Sequence, residues 1–211
     1  MIFKNRQEAG MRLAERLTAY RGPDSVVLAL PRGGLPVALP IAEALGSPLD
    51  VIVAKKIGAP ENEEFAIGAV TAQGHRVLND LAIRDLLLPP GYLESKTQEQ
   101  QRLAEERERL LRGVRPRVPL AGKIAILVDD GIATGMTVRA AIAEARSQNP
   151  KKVVVAAPVI APDTLVDLRS LADEVVVLDA PRFFWAISQF YEDFAQVSDQ
   201  QARDLLAARA R

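Results

Sequence analysis

Short runs of β-branched and other apolar residues recur along the chain: Val26 to Leu30, Val51 to Ala54, Ile124 to Val128, Val153 to Ala157 and Val175 to Leu178, with helical patterns between them. Within each run the apolar character is near-continuous, not alternating, which is the pattern of strands covered on both faces. The order predicts a doubly wound α/β fold with a mainly parallel sheet. Asn5 followed by Glu8, and Ser198 followed by Gln201, have the spacing of capping boxes, so both ends of the sequence read as helical. Two shorter runs, Phe65 to Val70 and His75 to Leu78, flank Gln73-Gly74 and predict a hairpin beside the main sheet.

One stretch departs from the average composition. Glu94 to Arg117 holds seven Lys/Arg and five Asp/Glu in 24 residues, so half of it is charged against 26% for the chain. Glu105 with Arg109 and Glu108 with Arg112 stand at i,i+4 spacing, each pair supporting a helix by roughly 0.2–0.5 kcal/mol. Two readings are open: a solvated helix resting on the body through Leu103, Leu110 and Leu111, or a mobile lid over a site.

The 27 basic and 27 acidic residues cancel. A nucleic-acid backbone or an anionic membrane surface would therefore meet no net positive charge, and neither is an expected partner. At 48% hydrophobic residues a disordered chain is excluded. With no cysteine there is no disulfide, thiolate catalysis or cysteine-based metal site, and the single histidine, His75, excludes a multi-histidine centre. The first ten residues carry no apolar signal core, and the longest apolar stretch, residues 153–162, is too short to span a bilayer and contains two prolines, so a cytoplasmic location is expected.

The chemistry concentrates in Lys123 to Ala145. An apolar strand ends in Asp129 and Asp130, followed at once by a turn containing Gly and Thr that opens a helix. Free N–H groups at a helix N-terminus favour a phosphate, small residues let it approach, and Thr134 and Thr137 add hydroxyl donors. Two carboxylates cannot favour the same phosphate. They suit vicinal sugar hydroxyls or a hydrated Mg²⁺. The P-loop pattern, G-x-G-x-x-G and G-x-S-x-G are all absent.

The segment VDDGIATGMT, Val128 to Thr137, resembles the phosphoribosyl pyrophosphate (PRPP) motif of the type I phosphoribosyltransferases. The resemblance implies that Asp129 and Asp130 hold the ribose diol and that Ala133, Thr134, Gly135, Met136 and Thr137 bind the 5-phosphate. It implies Mg²⁺ carried by the substrate, with Asp129 and Asp130 its candidate protein ligands. A second strand–turn–helix unit, residues 25–46, carries Pro31-Arg32-Gly33-Gly34 at its turn. By the same resemblance Arg32, Gly33 and Gly34 bind pyrophosphate, Arg32 as a guanidinium fork and the glycines through close backbone approach. Lys55 and Lys56 follow the Val51 to Ala54 strand, where a cation would assist the leaving group, and alternation favours Lys55. Ordinary surface lysines are the competing reading.

Residues 175–194 hold six of the ten aromatics, Phe183, Phe184, Trp185, Phe190, Tyr191 and Phe194. They form either a satellite core or a stacking platform. In the resembling enzymes a small hood covers the acceptor, which makes Phe183, Phe184 and Trp185 the acceptor-binding candidates.

The expected whole is one domain over residues 1–211, with a flexible lid at 94–117 and a hood at 180–195. The expected activity is transfer of the phosphoribosyl group to a nitrogen acceptor, a nucleobase, with release of pyrophosphate. Asp129, Asp130, Arg32 and Lys55 are the catalytic candidates, and a homodimer the expected assembly. Two departures bear on the acceptor. Hypoxanthine–guanine enzymes carry an acidic residue where this chain has Ala133, and Met136 replaces a residue that is usually small. The general acid or base is unassigned, Asp129 being the best available carboxylate. Competing classes are a PRPP-sensing binding protein and a PRPP synthetase-like enzyme, the latter lacking here an ATP site.

Overall fold

The computed structural model describes residues 1–113 and 115–208. The chain enters through α1 (Arg6–Arg16), whose first turn is closed by the Asn5 side chain accepting from the Glu8 amide at 2.9 Å. It then runs through β1 (Ser25–Ala29), α2 (Gly34–Leu45) and β2 (Leu49–Val51). Next come β3 (Ala54–Ala59), β4 (Asn62–Thr71), β5 (Arg76–Leu78), α3 (Asp80–Asp85) and α4 (Tyr92–Arg112). The second half contains β6 (Ile124–Val128), α5 (Met136–Ser147), β7 (Lys152–Val159), α6 (Pro162–Leu171), β8 (Glu174–Asp179) and α7 (Asp199–Ala207). The Ser198 cap of α7 is the expected capping box, with both reciprocal bonds made.

Five strands form a parallel sheet in the order β2-β1-β6-β7-β8. All five residues of β1 are buried, and alternation divides them between two cores. Val27 and Ala29 face α1, α2 and α7, whereas Val26 and Leu28 face α5 and α6. Complete burial of one such aliphatic side chain contributes about 1.5–3 kcal/mol, which is why both faces need helices. The chain order runs outward from β1 to β2, then resumes on the other side of β1 with β6, β7 and β8. The reversal falls between β1 and β6. In an open α/β sheet the crevice at the carboxyl ends of such strands is where ligands bind.

The predicted strand at 51–54 is cut in two. Pairing with β1 stops at Val51, and from Ala54 the chain belongs to a separate antiparallel sheet, β3-β4-β5. The expected hairpin is thus the β4–β5 part of a three-stranded unit, and Lys55 and Lys56 lie on its first strand. The unit packs on α5 through Ala66, Ala69, Met136 and Ala140.

Residues 94–112 are most of α4, a helix docked on the body. Ala104, Glu108 and Leu111 are its buried face, and Leu110 points outward. Arg112 binds both carboxylate oxygens of Asp50, a residue 2% exposed, at 2.6 and 2.8 Å. Glu108 accepts from both Arg112 and Arg117. The acid–base pattern that marks a solvated face here fixes a helix end to the sheet edge. Among the described residues no helix is long and apolar enough to cross a membrane.

Candidate functional site

The two motifs singled out from sequence meet at the β1–β6 switch point. The Leu30 amide donates to the Val128 carbonyl at 2.8 Å, placing the end of β1 beside the end of β6. The chain then turns through Pro31 and Arg32 into α2. A Cβ on Gly33 would collide with Asp130 Oδ2, and one on Gly34 would stand 2.5 Å from the Val128 carbonyl oxygen. Both glycines have ordinary dihedrals. Their role is close approach: only a residue without a side chain lets this turn lie against the acidic pair.

Asp129 and Asp130 end β6. The Asp130 amide donates to Asp129 Oδ1 at 2.9 Å, and Arg6 Nε donates to Asp130 Oδ2 at 2.7 Å. Burial, with the neighbouring Asp130 charge added, pushes the Asp129 carboxyl well above the usual carboxylate range. Burial raises Asp130 as well, and the Arg6 guanidinium offsets only part of that. The Tyr191 hydroxyl donates to the Asp130 carbonyl at 2.6 Å. Arg6 in turn lies 3.7 Å from the centre of the Phe194 ring and donates to the Ala195 carbonyl at 2.8 Å. Beside these groups runs a cleft of about 260 Å³ lined by Arg6, Arg32, Gly33, Asp130, Phe194, Gln196 and Val197.

The loop after the acidic pair is pinned at its base and open at its tip. Ile132 is buried and bonded to the Val159 carbonyl at 2.9 Å, and Thr164 donates to the Ala133 carbonyl. Ala133 and Thr134 are exposed. Gly135 caps α5 in the left-handed region, at φ +71°, where a side chain is disfavoured; its Cβ would also reach Thr164 at 2.7 Å. No side chain caps this end of α5, so its first N–H groups face the loop. Thr137 is half-buried in that first turn. Met136, expected in the phosphate loop, sends its side chain the other way, into the core between α5 and the β3–β4 hairpin. Only its backbone belongs to the loop, and packing accounts for a large residue there.

Lys55 is half-buried and Lys56 exposed, as alternation along β3 requires. Burial, then the charges of Arg107 and Arg32, lower the Lys55 pKa. Arg32 Nη1 and Arg107 Nη1 stand 3.4 and 3.1 Å from the same oxygen, Asp199 Oδ1. Arg6, Arg107 and Asp199 carried no motif. Two of them left a trace in the sequence. Arg6 is a cation at the first position of α1, against the helix dipole, and Arg107 lies between Leu103 and Leu111 on one helical face, where an apolar residue belongs.

The aromatic segment divides. Phe184, Phe190, Tyr191 and Phe194 build a satellite core around Phe3 and Val159, and Phe3 pairs with Tyr191 as an added parallel bridge. Phe183 and Trp185 project outward, 72% and 86% exposed. Gln189 holds that loop by accepting from the Trp185 and Ala186 amides and donating to the Phe183 carbonyl. Ile187 lies over Gly131, whose Cβ would come within 2.5 Å of it. This aromatic segment therefore sits directly on the residue after the acidic pair.

Among the described residues no group of three or more His, Asp or Glu is placed to enclose a metal ion. The carboxylate oxygens at the end of β6 are those of Asp129 and Asp130.

A family model, the phosphoribosyl transferase domain, matches residues 2–195. Two curated proteins from Mycobacterium tuberculosis strains, which carry the name phosphoribosyl transferase as a provisional assignment, are 44% identical over 201 residues. That match covers 95% of this chain but 45% of each relative, so the chain spans about half the length of the curated relatives it matches. The crystal structure of the protein TT1426 from Thermus thermophilus is similar over 100% of both chains, at 40% identity and a TM-score of 0.84. The chain belongs to the phosphoribosyl transferase family.

Proposed function

We propose that this protein transfers the 5-phosphoribosyl group of PRPP to a ring nitrogen of a nucleobase, releasing pyrophosphate. One observation carries the reading. The Gly33 backbone lies against the Asp130 carboxylate, so a cationic turn meets an acidic pair that the chain follows directly with the open N-terminus of α5. PRPP presents three matching parts: a diphosphate, a ribose diol and a 5-phosphate.

The 131–137 loop and the first N–H groups of α5 hold the 5-phosphate, with Thr134 and Thr137 as hydroxyl donors. Asp129 and Asp130 accept from the ribose hydroxyls and so fix the sugar ring. Arg32 and Lys55 face the diphosphate, whose departure leaves positive character on C1; attack by the acceptor nitrogen from the opposite face inverts that carbon. Holding both ends of the sugar turns an encounter into an oriented reaction. The exposed faces of Phe183 and Trp185 are available to stack on a planar acceptor, with Phe184 behind them as support.

The acidic pair also fits Mg²⁺. Two adjacent carboxylates, both raised in pKa by burial, are relieved by a hard cation, and Mg²⁺ is commonly bound by one or two carboxylates plus substrate phosphates. Asp129, which among the described residues has no cationic side chain as close as Arg6 is to Asp130, is the residue that would hold it. When bound it supplies charge neutralisation of the diphosphate.

The test is a pyrophosphate-release screen with PRPP and Mg²⁺ against pooled purines, pyrimidines and related heterocycles. Release with one pool, lost in the Asp129→Asn, Asp130→Asn double variant, supports the reading. A folded protein that shows no thermal shift with millimolar PRPP would overturn it. A shift without release for any pool would mark a binding protein.

A further inference from the structure

Two guanidinium groups from separate elements share one carboxylate, and a lysine from a third element lies within reach of their charge. Arg32 comes from the turn after β1, Lys55 from β3 and Arg107 from the middle of α4, and Asp199 opens α7. The two guanidinium groups share a single oxygen of Asp199, at 3.4 and 3.1 Å, both longer than the roughly 2.7–2.9 Å of a strong charge-assisted bond. Their side chains are about three-quarters covered, at 25% and 26% exposure. One anion is thus shared between two guanidinium groups largely withdrawn from water, with half-buried Lys55 adding a third positive charge nearby.

Packing does not call for this arrangement. Arg107 occupies a position on the inner stripe of α4, between Leu103 and Leu111, where an apolar side chain would pack at no electrostatic cost. The structural pairs of α4 look different: Arg112 on Asp50 is a short two-oxygen contact. Like charges drawn together and incompletely matched are the arrangement of a site for a more highly charged anion. Lys55 adds to this, since burial and then the two guanidinium groups disfavour its charged form.

We propose that Arg107 is a third cation of the diphosphate site and that Asp199 is a positioning residue, an internal carboxylate that holds Arg32 and Arg107 together and gives way to the diphosphate. The identity of the anion rests on the function proposed above. Asp199, 40% exposed at its side chain, has solvent to turn into when a diphosphate displaces it. Binding is then an exchange of one anion for another, and Asp199 sets its affinity. The exchange also links α4 and α7, which both contribute to the cluster, to the occupancy of the site.

The sign of one measurement separates this from a purely structural role. Calorimetric titration of the full chain with inorganic pyrophosphate and Mg²⁺, at fixed ionic strength, should show Asp199→Asn binding several-fold tighter than the parent. Arg107→Ala should bind about tenfold weaker, the effect of one charge-assisted hydrogen bond, with Arg107→Lys recovering part of the loss. The KM for PRPP should move in the same directions. If Asp199 only tied α7 to the body, its removal would leave binding unchanged or weaken it, and either result overturns the inference. Unchanged affinity in Arg107→Ala does so too. Should Asp199→Asn not fold, Asp199→Ser, which keeps the Ser198 cap, gives the same readout. A parent protein that binds neither pyrophosphate nor PRPP removes the proposed function itself; a parent that binds, with variants moving the wrong way, removes only this proposal.

Discussion

Arg6 Nε reaches Asp130 Oδ2 at 2.7 Å, linking the first turn of the first helix to the acidic pair 124 residues later, with both side chains 11% exposed. The contact explains how two adjacent carboxylates persist at a buried strand end. Replacing Arg6 by Ala leaves Asp130 buried without its counter-charge and strips the cation from the face of Phe194. Loss of one partner from such a pair costs about 3–5 kcal/mol, and urea denaturation should place Arg6→Ala near the lower end because Asp130 can take up a proton. The Arg6→Ala, Asp130→Asn double variant should recover part of that loss. Strict additivity of the two single effects would show that the residues are not coupled.

The acidic pair also sets a direction for stability against pH. Both folded-state pKa values are raised, Asp129 the more strongly. Between the ordinary aspartate value, about 3.9, and the raised one, the native state binds more protons than the unfolded state. The favourable contribution of the neutral carboxyl is therefore complete below about 3.9 and is lost as pH rises through the raised value. Asp129→Asn is neutral throughout. Its stability relative to the parent should grow with pH across that window, by denaturation in buffers of matched ionic strength, and a constant difference would contradict the raised pKa.

Gly33 and Gly34 should respond differently to alanine. At Gly34 the new methyl meets a backbone carbonyl at 2.5 Å, which cannot move without disturbing β6. Overpacking of this kind costs typically 1–3 kcal/mol, and Gly34→Ala should lie at or above the top of that range. At Gly33 the obstruction is the Asp130 carboxylate, held from its other side by Arg6. Gly33→Ala should lose PRPP binding before it loses the fold, so a melting curve near that of the parent combined with absent PRPP-induced shift is the expected pair of results.

Much of this site was legible because it depends on local pattern. Buried parallel strands are written as continuous apolar runs, and phosphate-loop chemistry is written as small residues at a strand–helix junction, so β1, β6 and the Asp129-Asp130 turn could be placed from sequence. Arg6, Arg107 and Asp199 could not, because each acquires its role from a partner far along the chain. Asp199 is the clearest case: an acidic residue at the first position of a helix is already explained by the helix dipole. The docking of this charged segment was illegible for a related reason. Mixed charge on a helix reads as solvation, but the Arg112 end of α4 is held by Asp50, whose burial comes from the strand order and not from its neighbours in sequence.

That clamp can be tested. Arg112→Ala leaves Asp50, 2% exposed, with its bonds to the Val51 and Val118 amides as its remaining partners among the described residues. Since α4 carries Arg107, releasing its C-terminal end should reach the site. Arg112→Ala should lose about 3–5 kcal/mol of stability and show faster amide exchange through the last two turns of α4. Unaltered exchange there would mean that Leu111, Ala104 and the Glu108–Arg117 pair hold the helix without the Asp50 clamp.

Trp185 offers the most direct view of the acceptor. It is the chain's single tryptophan, 86% exposed, on a loop whose backbone Gln189 fixes and whose base, Ile187, covers Gly131. A planar base stacking there removes water from the indole, so its fluorescence should shift to shorter wavelength or be quenched on adding acceptor, more strongly with PRPP present. Stacking on one aromatic ring is worth roughly 1–3 kcal/mol. Trp185→Ala and Phe183→Ala should therefore raise the KM for the acceptor about tenfold while leaving PRPP affinity unchanged. Phe184→Ala should act otherwise. Its ring lies 5.2 Å from that of Phe190 in the satellite core, so its loss should lower stability. If all three variants destabilise the protein alike and none alters the acceptor KM, the segment is core alone, and the acceptor must be held elsewhere along the crevice.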